Sequence, residues 1–381
     1  MFKQFSSLFL LIIIVFSSCH PKQEEKTNKP SGVSLDSIYY AKGFSIETYD
    51  DYQVIKLKNP WKTDLLLQTY ILCPKFQKLP ENLPEGVIIR TPLEKTVTFS
   101  SVTCSYLEEL EVLHTLIGVA EPQYIDIPFI DKGIKGGKIQ DIGLASNPDI
   151  EKLILIEPEA ILTNPISDSG INVLNKLDTP IINCFEYMET NPLGQAEWIR
   201  FLGLLFEKKE LADSLFFETV KTYNELKELT TDIEKRPTVF TELKYGDFWY
   251  MPGGKSYMAH LFADAGADYL LKEDKSTGSI PLSFESVLDN AQNADFWLFK
   301  YYSPYDMTYK QLASDYANYT LFKAYQQKNI YVCNTMTTSR YYRELPLHPD
   351  RILKDLIWIF HPELIPDYQP RYYKELKVEN E

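Results

Sequence analysis

Asp149-Ile-Glu-Lys-Leu-Ile-Leu-Ile-Glu-Pro-Glu-Ala-Ile-Leu162 and Ser283-Phe-Glu-Ser-Val-Leu-Asp-Asn-Ala-Gln-Asn-Ala-Asp-Phe-Trp-Leu298 run in one pattern. Each reads apolar-Glu-x-apolar-apolar, then a polar turn, then a hydrophobic run. The pattern predicts a short helix that opens with an acid, followed by a buried parallel strand. An acid in a first turn also serves the helix dipole, so neither Glu151 nor Glu285 is informative alone. Two such units, one in each half of 381 residues, predict two similar α/β lobes that each present one carboxylate.

Working outward, strands alternate with helices, which implies parallel pairing and an α/β layer fold. Thr96-Val-Thr-Phe99 is a strand, Ser100-Ser-Val-Thr-Cys-Ser105 a polar loop, and Tyr106–Leu116 a helix. Gln123–Gly143 reads as loop, and Thr179–Phe185 as another strand. Residues 193–234 read as helical with a break near Gly203 and Glu207. The stretch from Lys208 to Glu234 would be a rod of roughly 40 Å at 1.5 Å per residue, and Pro237 ends it. Thr238–Leu243 opens the second lobe, Tyr257–Gly266 is a helix closed by glycine, Asn329–Cys333 is a strand, and Pro349–His361 is a final amphipathic helix. Ahead of the first lobe, Phe44–Tyr49 and Tyr52–Lys58 alternate with period two around Asp50-Asp51, a hairpin signal. Leu65–Leu72 is a further strand, and Pro80–Pro92 a connector.

Composition suits a soluble globular protein: 44% hydrophobic and 24% charged. A net charge of −14 with no basic stretch argues against nucleic acid and against electrostatic attachment to an anionic membrane. Aromatics reach 14%, with 26 Tyr, and tyrosine in excess favours a binding surface with apolar faces and polar tips.

The N-terminus points to an envelope address. Lys3 precedes Leu8–Phe16, an apolar run too short to span a bilayer and suited to a signal-peptide core. Ser17-Ser18-Cys19 then looks like a bacterial lipobox in which Cys19 is acylated. His20–Pro30 is polar and reads as a tether, with Glu24-Glu25 a candidate surface-export signal. Cys73, Cys104, Cys184 and Cys333 show no CxxC spacing, so neither a zinc site nor a redox pair is signalled; they read as buried thiols.

Enzyme signatures are missing: no GxSxG, P-loop or GxGxxG stands at a strand–helix junction, and five histidines without HExxH do not make a bare-metal site. Aromatic clusters supply the positive signal. Tyr245-Gly-Asp-Phe-Trp-Tyr250, Tyr301-Tyr302…Tyr305 and Thr337–Arg343 each follow a strand of the second lobe. Ligands of open parallel sheets bind outside the carboxyl ends of strands. The candidate ligand residues are therefore Tyr245, Trp249, Tyr250, Tyr301, Arg340, Tyr341 and Arg343 from the second lobe, and Ser100, Ser101 and Tyr187 from the first. Tyrosines and tryptophan suit a large, flat, partly apolar ligand, and Arg340 and Arg343 suit anionic oxygens.

The echoed segments, the Pro252-Gly-x-x-Ser256…Ala-Gly-Ala267 stretch, the Thr115-Leu-Ile-Gly-Val-Ala120 run and the Pro349-Asp-x-x-Leu353…His-Pro-Glu-Leu364 ending resemble the periplasmic-binding-protein family for ferric siderophores, haem and cobalamin. The strands that end in Asn-Pro-Trp61 are similar to an extension on some iron-chelate binding proteins. The resemblance implies two parallel-sheet α/β lobes joined by one long helix, the class III substrate-binding fold. It covers about residues 96–364. The implied organisation is a lipoprotein signal peptide at 1–18, a tether at 19–34, a β-rich extension at 35–95, a first lobe at 96–191, a helical backbone at 192–235 and a second lobe at 236–381.

The resemblance further implies a substrate-binding lipoprotein of an ABC importer. Glu151 and Glu285 would dock onto arginines of the permease, with its ATPase beyond. No cofactor or resident metal is expected. The ligand would be a ferric siderophore first, a cobalamin second and haem third, bound by a monomer in the cell envelope. Two other readings stand beside it. One is a surface lipoprotein that scavenges haem or cobalamin for an outer-membrane transporter. The other is a lipoprotein hydrolase that uses carboxylates such as Glu242 and Asp247 as acid and base.

Overall fold

The computed structural model describes residues 34–378 apart from 63, 166–173, 175–176 and 338–339. The proposed signal peptide, Cys19 and nearly all of the tether lie outside the described residues. Two five-stranded sheets form the α/β body. The first has strands in the order Ile181–Asn183, Ala160–Thr163, Thr96–Thr98, Leu116–Val119, Gln140–Asp141, all parallel. The second runs Asp268–Tyr269, Thr238–Thr241, Phe296–Tyr301, Ile330–Asn334, Lys374–Glu375, parallel except for the last strand.

The echo in the sequence is an echo in the wiring. Asp149 caps the Ile150–Ile156 helix by accepting from the Lys152 amide at 3.0 Å, and Ser283 caps Phe284–Ala291 by accepting from Ser286 at 3.1 Å. A side chain at this position satisfies an amide that the helix cannot. The strand after each helix pairs with the first strand of its own sheet, on the side away from the second strand. Strand order therefore reverses beside Thr96–Thr98 and beside Thr238–Thr241, where open parallel sheets bind ligands.

Between the sheets run the Pro192–Leu205 and Lys209–Glu228 helices. Every residue of the first is buried, which explains its lack of a polar face. Glu207 has φ +53° and breaks the helical path. A Cβ at Gly203 would sit 2.5 Å from that of Ala212, so glycine lets the two helices pack closely. The expected rod is shorter than its periodicity implies: 20 residues, or about 30 Å.

The extension is a five-stranded sheet in sequence order. The hairpin forms as expected between Phe44–Thr48 and Gln53–Lys58. The proline-rich connector departs from expectation, since Val87–Thr91 within it pairs parallel with Leu66–Pro74. The sheet is riveted to the body by two buried carboxylates. Glu197 accepts from the amides of Tyr39, Tyr40 and Ala41 and from Arg200. Glu189 accepts from the amides of Lys42 and Gly43 and the Trp198 indole.

Two further expectations are corrected. The "polar loop" at 100–105 is the start of a helix, Ser101–Glu109, with Ser100 as its cap. Serine, threonine and cysteine are poor helix formers, but burial of Thr103 to Leu107 overrides propensity. The loop-rich 123–143 region contains the Pro128–Lys135 helix. Beyond Leu364 the chain adds the Lys374–Glu375 strand to the second sheet. Buried Asp355 accepts from the amides of Arg371, Tyr372 and Tyr373 and from the Tyr368 hydroxyl, strapping the last strand onto the second sheet.

Candidate functional site

The two sheets meet through the elements that leave their strand ends. The Ser101–Glu109 helix, which follows the first strand of the first lobe, packs against Arg340–Glu344, which follows Ile330–Asn334 of the second. His348 lies 3.1 Å from Glu109 across this junction. The carboxyl ends of the strands thus face a common cleft.

On the second lobe those ends carry aromatic rings. Tyr245 is 81 % exposed and Tyr250 44 %; Tyr302 and Tyr305 stand still further out than Tyr250, and Tyr342 is half exposed. The Tyr245–Tyr250 segment is a hairpin, Lys244–Tyr245 against Phe248–Pro252. Its period-two alternation turns Phe248 and Tyr250 outward and Trp249 inward. Trp249 is therefore not a ligand residue: it is 0 % exposed, packs on Phe240 and Trp297, and donates its indole N–H to the Thr241 carbonyl at 2.8 Å. Tyr341 is likewise corrected. At 1 % exposed it packs among Tyr372 and Tyr373, because it lies on the inner side of the Arg340–Glu344 helix. Arg340 is exposed on that helix, whereas Arg343 is only 5 % exposed. Tyr301 is half-buried, and its hydroxyl accepts from the Met307 amide at 3.1 Å, which leaves Tyr302 and Tyr305 as the exposed rings of that loop.

The first lobe offers a different set. Ser100 and Ser101 sit half-exposed at a helix N-terminus, with Ser100 accepting from the Val102 amide at 3.2 Å. Tyr187, 40 % exposed, donates its hydroxyl to the Pro165 carbonyl. Beside it lies Glu186, which sequence reasoning missed. Burial pushes its carboxyl up to about 7, and Asn164 donates to it at 2.8 Å. The only sequence signal was an acid between aromatics in Phe185-Glu-Tyr187. The extension adds to this side. A cavity of about 620 Å³ lies between its Lys58–Leu66 turn and the Phe185–Thr190 loop, and Trp61 stands edge-on to Phe185 at 5.3 Å.

Glu151 and Glu285 occupy equivalent places in the first turn of equivalent helices, both exposed. Among the described residues neither takes part in an ion pair. Glu151 has exposed Ile154 and Leu155 on the same short helix. Glu242, a candidate acid of the hydrolase reading, is ion-paired with half-buried Lys300. The four cysteines from 73 to 333 are free and buried. No group of His, Cys, Asp or Glu among the described residues could hold a metal ion, and no helix among them is long and apolar enough to cross a membrane.

The family model described as periplasmic binding protein matches residues 103–336. An uncharacterized lipoprotein of Methanocaldococcus jannaschii is 25% identical, with 98% of this chain and 96% of that protein covered. Among solved structures, a TroA-like periplasmic binding protein from Veillonella parvula superposes with a TM-score of 0.58 at 17% identity, covering 77% of this chain and 97% of that one. A periplasmic heme binding protein from Pseudomonas aeruginosa gives a TM-score of 0.57 at 12% identity, covering 76% and 100%.

Proposed function

The chain belongs to the periplasmic binding protein family, and from that premise we propose that it is the substrate-binding lipoprotein of an ABC importer, anchored through Cys19, that captures an iron chelate or corrinoid between its lobes. The observation that carries this reading is the wall of exposed rings at the strand ends of the second lobe, Tyr245, Tyr250, Tyr302, Tyr305 and Tyr342, with exposed Arg340 on the helix that carries Tyr342. Such a wall suits a large ligand with flat faces, and the guanidinium suits anionic oxygens. A ferric siderophore fits this combination first, a cobalamin second and haem third. Ser100, Ser101, Tyr187, Tyr245, Tyr250, Tyr302, Tyr305, Tyr342 and Arg340 are the proposed ligand residues, with half-buried Tyr301 behind Tyr302 in sequence. The lipoprotein name of the archaeal relative supports an anchor, as does the Ser17-Ser18-Cys19 motif. The chain acts by binding and handing over, without chemistry of its own.

Glu151 and Glu285 are proposed to meet permease arginines. Exposed pairs are individually weak, but two on separate lobes fix orientation. Titration of intrinsic fluorescence with ferric siderophores, haemin and cobalamin tests the ligand. Saturable quenching by one of them at micromolar concentration is expected, and none by any would defeat the reading. Glu151→Arg combined with Glu285→Arg should abolish uptake and leave ligand affinity intact; lost affinity would assign both residues to the cleft instead. Arg340→Ala should weaken an anionic chelate by about 1.5–3 kcal/mol and leave cobalamin much less affected.

A further inference from the structure

The extension sheet has two ends of different character. The Ser34–Asp36 strand starts opposite Thr48, beside the Asp50-Asp51 hairpin tip. Leu66–Pro74 and Val87–Thr91 finish at this same end, because Gln53 pairs with Leu72 and Pro74 with Thr91. The loop that follows Pro74 carries Phe76, which is 92 % exposed, and Leu35 stands exposed on the first strand. Among the described residues Phe76 belongs to no hydrophobic core. Its neighbour Gln77 lines a cavity together with the hairpin tip, Leu204 and Glu207. The other end of the sheet is the Lys58–Leu66 turn, which faces the Phe185–Thr190 loop at the carboxyl end of Ile181–Asn183. The cleft therefore lies toward one end of the extension and Phe76 at the other. Glu151 shares the cleft end: the helix it opens starts where Gln140–Asp141 finishes, with Lys152 donating to the Asp141 carbonyl at 2.9 Å.

We propose that the Phe76 end of the extension is a membrane-contact face, seated on the zwitterionic surface of the bilayer that holds the lipid on Cys19. The proposal rests on the lipoprotein reading of Cys19. Ser34 follows Cys19 by fifteen residues, at most about 50 Å of chain, and it enters the fold at this end. An aromatic ring left open to water gains by burial at the boundary between headgroups and acyl chains. Asp50 and Asp51, both exposed here, repel anionic headgroups, so the attraction is apolar. One ring adds little to the hold of an acylated chain; what it sets is orientation. Seated this way, the cleft and Glu151 point away from the bilayer and stay open to arriving ligand. Delivery to a permease then requires the protein to turn over on its tether.

The test uses the acylated chain isolated from membranes and reconstituted in phosphatidylcholine vesicles, with and without bromine on the upper acyl carbons. Two variants carry a new indole: Phe76→Trp, and Leu65→Trp at the cleft end, where Leu65 is 55 % exposed. Bromine quenches only indoles that reach the acyl chains. With wild-type emission subtracted, the indole added by Phe76→Trp should lose emission by at least about twofold on brominated vesicles, and the one added by Leu65→Trp should lose none. An unquenched indole in Phe76→Trp, or equal quenching in the two variants, overturns the proposal. Quenching that strengthens when phosphatidylglycerol is mixed into the vesicles also overturns it, because cations such as Lys78 would then make the contact. Mass spectrometry of Cys19 checks the underlying reading by itself. An unacylated chain defeats the anchor and the proposal with it, whereas an acylated chain with an unquenched Phe76→Trp indole defeats the proposal alone.

Discussion

The two lobes share one wiring and differ in what they place at their strand ends. In both, a capped helix with an exposed glutamate feeds a strand that pairs with the lobe's first strand. The second lobe then presents tyrosines to solvent, while the first presents serines at a helix start and keeps the Glu186 carboxyl, pushed up to about 7, buried. The first lobe also carries the extension sheet, riveted through Glu197 and Glu189. Common wiring explains the fold. The difference underlies the proposed binding face, in which the second lobe would supply the apolar area and the first would supply polar partners and a wall from the extension.

That contrast can be broken most forcibly at its anchors. Trp249→Ala should cost about 3–5 kcal/mol in unfolding free energy, because the indole fills the core of the second lobe. Tyr250→Ala, one residue away but outward, should cost under about 1 kcal/mol. Equal costs measured by chemical denaturation would mean the hairpin alternation is wrong. Next, Glu197→Ala should cost about 3–5 kcal/mol, since it strands three amides that it alone serves and takes one of the two carboxylate partners of Arg200. A loss below 1 kcal/mol would show the extension to be a loose appendage.

A smaller effect follows from Glu186. Its carboxyl is raised by burial to about 7 in the folded chain, above the ordinary 4.3 of a glutamate. Folding therefore favours the protonated form. That contribution is fully present below about pH 4.3 and is lost as pH rises through 7. The stability of Glu186→Gln relative to wild type should climb between pH 4.5 and pH 8 by roughly 2–3 kcal/mol. A difference that stays flat with pH would mean that the carboxyl is ionised in the fold at no cost.

Much of this architecture was legible in the chain. Asp149 and Ser283 announce their helices because a short polar side chain satisfies an amide at a helix start, and Asp50-Asp51 between alternating runs marks the hairpin. What escaped did so for physical reasons. Ser100 to Ser105 are weak helix formers drawn into a helix by burial. The strap at 371–373 depends on Asp355, far off in sequence, so no local pattern reveals it. In the site, Tyr245 and Tyr250 were readable as candidates, but Trp249 and Tyr341 were grouped with them by composition, when the alternation of the strand and the side of the helix decide which ring faces water. Arg343 and Glu186 become distinctive only through tertiary burial.

The central claim is that ligand is held chiefly by the second lobe's exposed rings. The most direct measurement is equilibrium titration of the chelate that quenches most strongly, made on wild type, on Tyr245→Ala with Tyr250→Ala, and on Tyr187→Ala. The account predicts that the paired second-lobe substitutions weaken binding by at least about tenfold, at about 0.5–1.5 kcal/mol or more for each lost ring contact, with melting unchanged and a lesser loss for Tyr187→Ala. Undiminished affinity in the paired variant, or a greater loss at Tyr187, would contradict it and move the binding face to the first lobe.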